Sequence, residues 1–247
     1  MATGSDRTIR RWSSGRHFVV IDDLFAVSNK SIVVLISGRG SNLQAIIDAV
    51  RQGRIDAGIA AVISNRTDAA GLRLAEQAGI DTVVVDQKKY SNRTDYDHAL
   101  IATIDNYNPN LVVLAGFMRI LSDRFVQHYR DRVLNIHPSL LPEFKGLHTH
   151  RRALEAAAQI HGASVHFVSN ELDSGPVVLQ AQVPVLSNDT ESSLAARVLE
   201  HEHIIYPIVI AWFIDGRLEV SHGQVMLDNR RLNRPAQWKS NQLVLTE

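Results

Sequence analysis

From Ser31 onward, short apolar runs rich in β-branched residues alternate with amphipathic windows, and this alternation restricts the chain to an α/β architecture. The runs over residues 32–36, 59–63, 82–85 and 111–115 are almost wholly apolar. Strands of that kind are covered on both faces, which is the condition of a parallel sheet. Helical windows fit between them at residues 41–52, 68–78 and 92–107. After Pro176 the texture changes: residues 177–185 read as a longer strand and residues 189–213 as a long helix that Pro207 should kink. The expected fold is an open, twisted, mainly parallel sheet flanked by helices. Neither an internal repeat nor a low-complexity linker interrupts it.

A chain of 247 residues can bury a sizeable core as one large domain or two small ones. Its formal net charge is zero, so no overall basic field gathers nucleic acid or anionic lipid. Zero cysteines remove disulfides, a thiol nucleophile and thiolate metal sites together. Residues 1–30 differ in character, with Arg7, Arg10, Arg11 and Arg16 ahead of a short apolar stretch, Phe18-Val19-Val20-Ile21, that Asp22 and Asp23 cut off. That stretch is too short for a signal-peptide core, and no later segment is apolar for long enough to span a bilayer. The reading is a cytoplasmic protein with a loose N-terminal extension, within which residues 18–27 could add a strand or turn.

The first strand runs into Ser37-Gly38-Arg39-Gly40-Ser41-Asn42-Leu43 and directly opens a helix. Glycines let the backbone turn and aim its amides at a ligand, and a helix N-terminus adds positive potential, so a phosphate suits this place. The loop is neither a P-loop, lacking Gly-Lys-Ser/Thr, nor a dinucleotide fingerprint, lacking the third glycine. An ordinary strand-to-helix turn capped by Ser41 is the plainer reading.

Val133-Leu134-Asn135-Ile136-His137 reads as a strand whose period-two geometry sends Asn135 and His137 out of one face. Further on stands Glu171-Leu172-Asp173-Ser174-Gly175-Pro176. An amide donor and an imidazolium can stabilise an oxyanion, and a carboxylate can tune a histidine and relay a proton. This chemistry suits acyl transfer without a covalent enzyme intermediate. The plainer readings are a structural histidine, an asparagine bonded to backbone and an aspartate in a turn.

Taken together, these segments resemble the folate-dependent phosphoribosylglycinamide (glycinamide ribonucleotide) formyltransferase family over residues 31–232. The marks are Val-Leu-Ile-Ser-Gly-Arg-Gly-Ser-Asn-Leu-Gln-Ala-Ile from Val34, Leu-Ala-Gly-Phe-Met-Arg-Ile-Leu from Leu114, Asn-Ile-His-Pro-Ser-Leu-Leu-Pro from Asn135, Gly-Leu-His-Thr-His-Arg from Gly146, and Glu-Leu-Asp-Ser-Gly-Pro from Glu171. The Asn-x-His and later Asp pattern is shared with formyltetrahydrofolate deformylase and methionyl-tRNA formyltransferase. The phosphate-type loop and the Gly-Leu-His-Thr-His segment favour the ribonucleotide enzyme.

The resemblance implies a Rossmann-like formyltransferase fold and transfer of the formyl group of 10-formyltetrahydrofolate, a co-substrate, to the amine of glycinamide ribonucleotide without a metal. It implies that Asn135 and His137 stabilise the tetrahedral intermediate while Asp173 holds His137 and organises water. It places Gly40, Ser41 and Asn42 at the phosphate, Gly116 and Pro138 along the glycinamide chain, and Glu202 on the ribose hydroxyls. On the folate side it implies backbone amides of Phe117-Met118-Arg119-Ile120-Leu121 for the pterin. The apolar slot would come from Leu114, Ile120, Val126, Val133 and Val168, and Arg93 and Arg119 would lie near the glutamate end.

Glu202 also stands out on internal evidence, because it falls within a helical stripe of Leu194, Val198, Ile205 and Val209. A carboxylate there needs a partner, and without the resemblance a buried ion pair with an arginine is the natural one. Leu199 departs from the family, whose members carry a longer polar residue that assists the phosphate; either Arg39 takes over or affinity falls. His148 and His150 lack a nearby acid that would complete a metal-ligand set. His166, within Ser164-Val165-His166-Phe167-Val168, reads either as a supporting partner in the site or as a core histidine bonded to backbone.

The organisation expected is therefore an extension over 1–30, a catalytic domain over 31–232 and a tail over 233–247. The expected partners are small-molecule substrates, with neither nucleic acid nor membrane; monomer and homodimer both stay open. Two alternatives compete with the transferase: a formyltetrahydrofolate hydrolase, and a non-catalytic Rossmann-type nucleotide-binding module. The module leaves the polar triad unexplained, and the hydrolase leaves the phosphate loop and Glu202 without a task.

Overall fold

In the computed structural model, which describes residues 30–245, the first apolar run forms β1 (Ser31–Ile36), and its side chains divide by parity. Ile32, Val34 and Ile36 join the core on one face, while Val33 and Leu35 join a second core on the other. Each such side chain contributes roughly 1.5–3 kcal/mol through burial, which is why an uninterrupted apolar run is stable only as a covered inner strand.

The same logic builds β2 (Gly58–Ser64), β3 (Asp81–Val84), β4 (Leu111–Leu114) and β5 (Val133–His137), which run parallel to β1 and to one another. β6 (Ile160–Phe167) then runs antiparallel between β5 and β7 (Val177–Pro184). Two further strands, β11 (Ala236–Lys239) and β12 (Gln242–Val244), complete a nine-stranded sheet in the order β12-β11-β7-β6-β5-β4-β1-β2-β3. The intervening β8 (Leu218–Ser221), β9 (Gln224–Leu227) and β10 (Arg230–Arg231) form a separate three-stranded sheet.

Because β1 has β2 on one side and β4 on the other, the chain changes direction there, and the carboxyl ends of β1, β4 and β5 border one crevice. In open α/β sheets that position is where ligands bind.

The helices are α1 (Ser41–Arg51), α2 (Gly71–Gln77), α3 (Arg93–Asp105), α4 (Asp123–His128), α5 (Thr149–Glu155) and α6 (Glu191–Ile214). α6 begins at a Thr190 capping box with Ser193 and runs through Pro207 without interruption, where the sequence suggested a kink. α2 starts three residues later than its hydrophobic pattern suggested, at Gly71, whose amide donates to the Gly38 carbonyl at 3.0 Å. α4 and α5 have six and seven residues, too short to announce themselves by periodicity.

The segment 233–247, expected as a tail, instead supplies two strands within its described part: Ala236–Lys239 pairs parallel with β7, Ala236 is fully buried and Trp238 packs against the core. Four residues of Ala-Gln-Trp-Lys are too few and too polar for alternation to show in the sequence. The expectations for residues 1–29 lie outside the described residues. Among the described residues, no helix is long and apolar enough to cross a membrane.

Candidate active site

The loop between β1 and α1 turns at Gly40, whose φ of +82° is left-handed and whose Cβ, if it had one, would stand 2.7 Å from the Gly71 Cα. Two glycine backbones in contact therefore fix the turn. Gly40, and not Ser41, is the N-cap, and no side chain among the described residues caps the helix. The first-turn N–H groups of α1 are thus left without a side-chain partner at the crevice.

Asn42, one residue into α1, is buried, and its Nδ2 donates to Glu202 Oε2 at 2.7 Å. The partner that Glu202 needs is therefore this amide and not an arginine. A single hydrogen bond compensates the buried carboxylate only in part, so burial raises its pKa, with the Asn42 bond opposing. Asn42 Oδ1 has no hydrogen-bond partner among the described residues. Arg39 is exposed at the same loop and Leu199 is half-buried on α6.

Asn135 and His137 leave β5 on one face, opposite His166 and Ser164 of β6. His137 is 6% exposed; its Nε2 lies 3.1 Å from the Phe144 carbonyl oxygen and its Nδ1 lies 3.5 Å from Asp173 Oδ2. A carbonyl only accepts, so Nε2 carries the hydrogen, and the Nδ1 contact becomes an ion pair when the ring takes its second proton. Asp173 itself sits at φ +48° and accepts from the Gly146 amide at 2.8 Å. That bond and the Lys145 Nζ to Ser174 Oγ bond at 2.6 Å tie the loop after β5 to the turn after β6.

Two residues that the motifs did not single out as supports hold the same loop from below. Ser164 Oγ donates to the Ser139 carbonyl (2.7 Å) and accepts from the Leu141 amide (3.0 Å), while Gln180 Nε2 donates to the Leu141 carbonyl (2.9 Å) and to Ser164 Oγ (3.0 Å). Ser164 and Gln180 face each other across β6 and β7, so polar residues in register within two apolar strands were the available signal. The peptide between Leu141 and Pro142 is cis. Tyr206 of α6 similarly spans the strand ends, its hydroxyl shared between the Leu114 and Leu134 carbonyls at 3.0 and 2.9 Å.

Beside Asn135 opens a cleft of about 100 Å³ lined by Leu114, Arg119, Ile120, Leu121, Val126 and Val168. Val133 does not line it and lies in the core beneath. Met118 is 70% exposed, and its amide, expected to be free for a heterocycle, donates to Ser37 Oγ at 2.7 Å. The Arg93 guanidinium bonds the Leu121 carbonyl. Arg119 lies over the Tyr96 ring at 4.0 Å and donates to Gln87 Oε1 at 3.1 Å. Both arginines therefore brace the cleft wall.

Gly116, at φ +73°, follows β4, and Pro138 follows His137; both stand at the same edge of the sheet. His148 is exposed and opens α5 in a left-handed conformation, whereas His150 Nδ1 meets His161 Nε2 at 3.2 Å.

Residues 30–210 match the sequence model of the formyl transferase family. The chain belongs to the formyl transferase family. This formyltransferase is 57% identical over 202 residues to the phosphoribosylglycinamide formyltransferase of Escherichia coli (strain K12), a match covering 82% of this chain and 95% of that protein. It is 48% identical over 203 residues to the enzyme of the same name from Haemophilus influenzae (strain ATCC 51907 / DSM 11121 / KW20 / Rd), covering 82% and 96%. Its fold is similar to that of the phosphoribosylglycinamide formyltransferase of Coxiella burnetii, with a TM-score of 0.79 and 52% identity over 82% of this chain and 95% of that one. The fold expected of the formyltransferase, a mainly parallel sheet flanked by helices, is the one observed.

Proposed function

We propose that this chain transfers the formyl group of 10-formyltetrahydrofolate to the amine of glycinamide ribonucleotide, a step of de novo purine biosynthesis. The observation that carries the reading is the convergence of Asn135, His137 and Asp173 between two different binding features. On one side are the uncapped N-terminus of α1 and the buried Glu202; on the other is the Leu121 to Val168 cleft.

The phosphate binds the first-turn amides beyond Gly40, with Ser41 adding a hydroxyl. Glu202, already aimed at Asn42, offers its oxygens to the ribose diol. Asn42 then serves this side through Glu202. The glycinamide chain runs past Gly116 and Pro138 towards His137. The cleft, at about 100 Å³, is smaller than the roughly 300–1,000 Å³ of a site that engulfs a whole ligand, so it takes only the flat end of the folate. The remainder lies outside over Met118 and Ile120, which are 70% and 55% exposed, towards Arg93 and Arg119.

The neutral amine attacks the formyl carbon, and the carbonyl oxygen gains the charge. Asn135 Nδ2–H donates to that oxygen, the kind of preorganised donation worth about 10²–10³ in rate, and the positive charge of the protonated His137, its two N–H groups turned to Phe144 and Asp173, stabilises the oxyanion electrostatically. The new C–N bond forms, the bond to the folate nitrogen breaks, and the proton lost by the amine passes by way of water at Asp173 to the departing tetrahydrofolate nitrogen. Hydrogen-bond donors and one proton relay suffice for this transfer, so the reading uses no metal. It carries with it a cytoplasmic location and small-molecule partners in place of nucleic acid, supported by zero cysteines and zero net charge. Monomer and homodimer are both compatible with it.

Hydrolysis of formyltetrahydrofolate by water would use the same triad but would leave the α1 N-terminus and Glu202 without a ligand. The test mixes the protein with 10-formyltetrahydrofolate and follows tetrahydrofolate release with and without glycinamide ribonucleotide. Release that depends on the ribonucleotide supports the transferase; equal rates in both tubes overturn it.

A further inference from the structure

His166 is 2% exposed on β6, directly opposite Asn135 of β5, and each of its ring nitrogens has one close neighbour. Nδ1 lies 2.9 Å from the Phe167 carbonyl oxygen. That oxygen cannot donate, so Nδ1 holds the hydrogen and Nε2 of the neutral ring holds a lone pair. Nε2 in turn lies 3.1 Å from Asn135 Nδ2, so the amide nitrogen donates and the ring accepts. Burial keeps the ring neutral, lowering its pKa to about 4, with His137 and Lys145 acting in the same direction and the Phe167 carbonyl and Asp173 opposing.

An asparagine amide is nearly symmetrical in shape, and nothing in its volume decides which end faces a ligand. In the proposed reaction the choice is decisive. The nitrogen end presents a hydrogen to the developing oxyanion, whereas the oxygen end would repel it. We propose that His166 is the positioning residue of the Asn135 amide, its Nε2 lone pair selecting the orientation in which the second Nδ2–H points into the crevice. The inference rests on the formyl-transfer reading for its consequence, although the orientation itself is a property of the unliganded chain.

The alternative, that His166 carries a proton to Asp173, needs Nε2 as donor. Asp173 Oδ1 is 3.9 Å away, beyond hydrogen-bond distance, and Nε2 is already turned to the amide. The support also extends one shell further back. A Cβ at Gly175 would stand 1.9 Å from the Phe167 oxygen, so the glycine of the Asp-Ser-Gly-Pro turn is what lets that carbonyl reach its place under the His166 ring.

The experiment compares wild type with His166→Phe, which keeps an aromatic ring but has no acceptor, and His166→Gln, whose side-chain oxygen can reach the Nε2 position. Each is made alone and in an Asn135→Ala background. The expected result for His166→Phe is a fall in kcat of about tenfold, part of the loss of a full oxyanion donor, with both KM values within twofold of wild type. His166→Gln should recover most of it, and neither substitution should slow Asn135→Ala further.

An independent readout is the Asn135 side-chain amide pair in ¹⁵N–¹H spectra of the unliganded protein. One proton should be shifted downfield by the imidazole nitrogen and move upfield in His166→Phe. Wild-type kcat in a folded His166→Phe protein, or an additive loss in the Asn135→Ala background, overturns the proposal; so does an unmoved amide resonance. If His166→Phe does not fold, His166→Gln decides by the same resonance and the same double-substitution comparison. Absence of transfer in the wild type, with the amide resonance responding as expected, sinks the functional reading and leaves the orientation intact.

Discussion

Glu202 is ionisable, 7% exposed and held by one hydrogen bond, and Glu202→Gln separates what that charge does for the fold from what it does for the ligand. In the wild type, Asn42 Nδ2 donates to Glu202 Oε2 while Asn42 Oδ1 has no partner among the described residues. A glutamine keeps an oxygen for the first contact and brings an NH₂ that can donate to the second, closing an amide–amide pair. One added neutral hydrogen bond contributes about 1 kcal/mol, and the desolvation cost of the carboxylate disappears as well. For a chain of this size, 1 kcal/mol moves Tm by about 2–4 °C, so the variant should melt higher by at least that much at pH 7.5.

The pH dependence has a definite sign. Burial raises the Glu202 pKa, so the unfolded chain gives up its proton first, and native stability falls as pH rises from the ordinary carboxylate range through the raised native value. The advantage of glutamine should therefore shrink at pH 4. Ribonucleotide KM should rise about 10- to 100-fold, since a charge-assisted bond to the diol is worth roughly 1.5–3 kcal/mol, while folate KM stays put. Melting curves at the two pH values and initial rates measure all three effects. A lower Tm at pH 7.5 would refute the account of the buried pair, and an unchanged ribonucleotide KM would refute the placement of the ribose.

Asp173→Asn should cut kcat with little loss of stability, because asparagine tolerates φ +48° and can still accept from the Gly146 amide while removing the ion pair with His137; a variant with wild-type kcat by initial-rate assay would argue against the relay. Gly175→Ala drives a methyl against the Phe167 carbonyl and should cost on the order of 3 kcal/mol by urea titration, a result that near-wild-type stability would contradict. His161 is 1% exposed with its pKa lowered to about 4 by burial, then His150 and His137, so the native state keeps it neutral and stability is lost as pH falls from about 6.5 to about 4. His161→Leu should flatten that part of the stability curve by up to about 3 kcal/mol, and an unaltered slope of urea midpoints against pH would exclude the histidine as its source.

The strands that carry the site were legible because inner parallel strands must be apolar on both faces, and Ile32 to Ile36 or Leu111 to Leu114 admit no other covered arrangement. The side-by-side exit of Asn135 and His137 followed from period two alone. The long helix announced itself through its apolar stripe, Leu194 to Val209, whereas its Thr190 cap showed only in the structure. What periodicity cannot carry is pairing between distant segments. β11 joins the sheet through four residues whose alternation is invisible until Ala236 and Trp238 meet the core. Gly40 displaces Ser41 as the helix cap because Gly71, thirty-one positions on, leaves room only for a glycine turn.

The sequence by itself determined the kind of sheet, the ends of the strands from which chemistry could be done, and the residue types gathered there, since these depend on local geometry and on the burial of neighbours along the chain. The tertiary structure alone decided partners and orientation. Asn42 belongs to Glu202 and not to open solvent, Phe144 holds the far nitrogen of His137, and His166 reads the end of Asn135. A hydrogen bond is set by the position and direction of two groups, and for groups 160, 7 and 31 residues apart only the folded backbone supplies both.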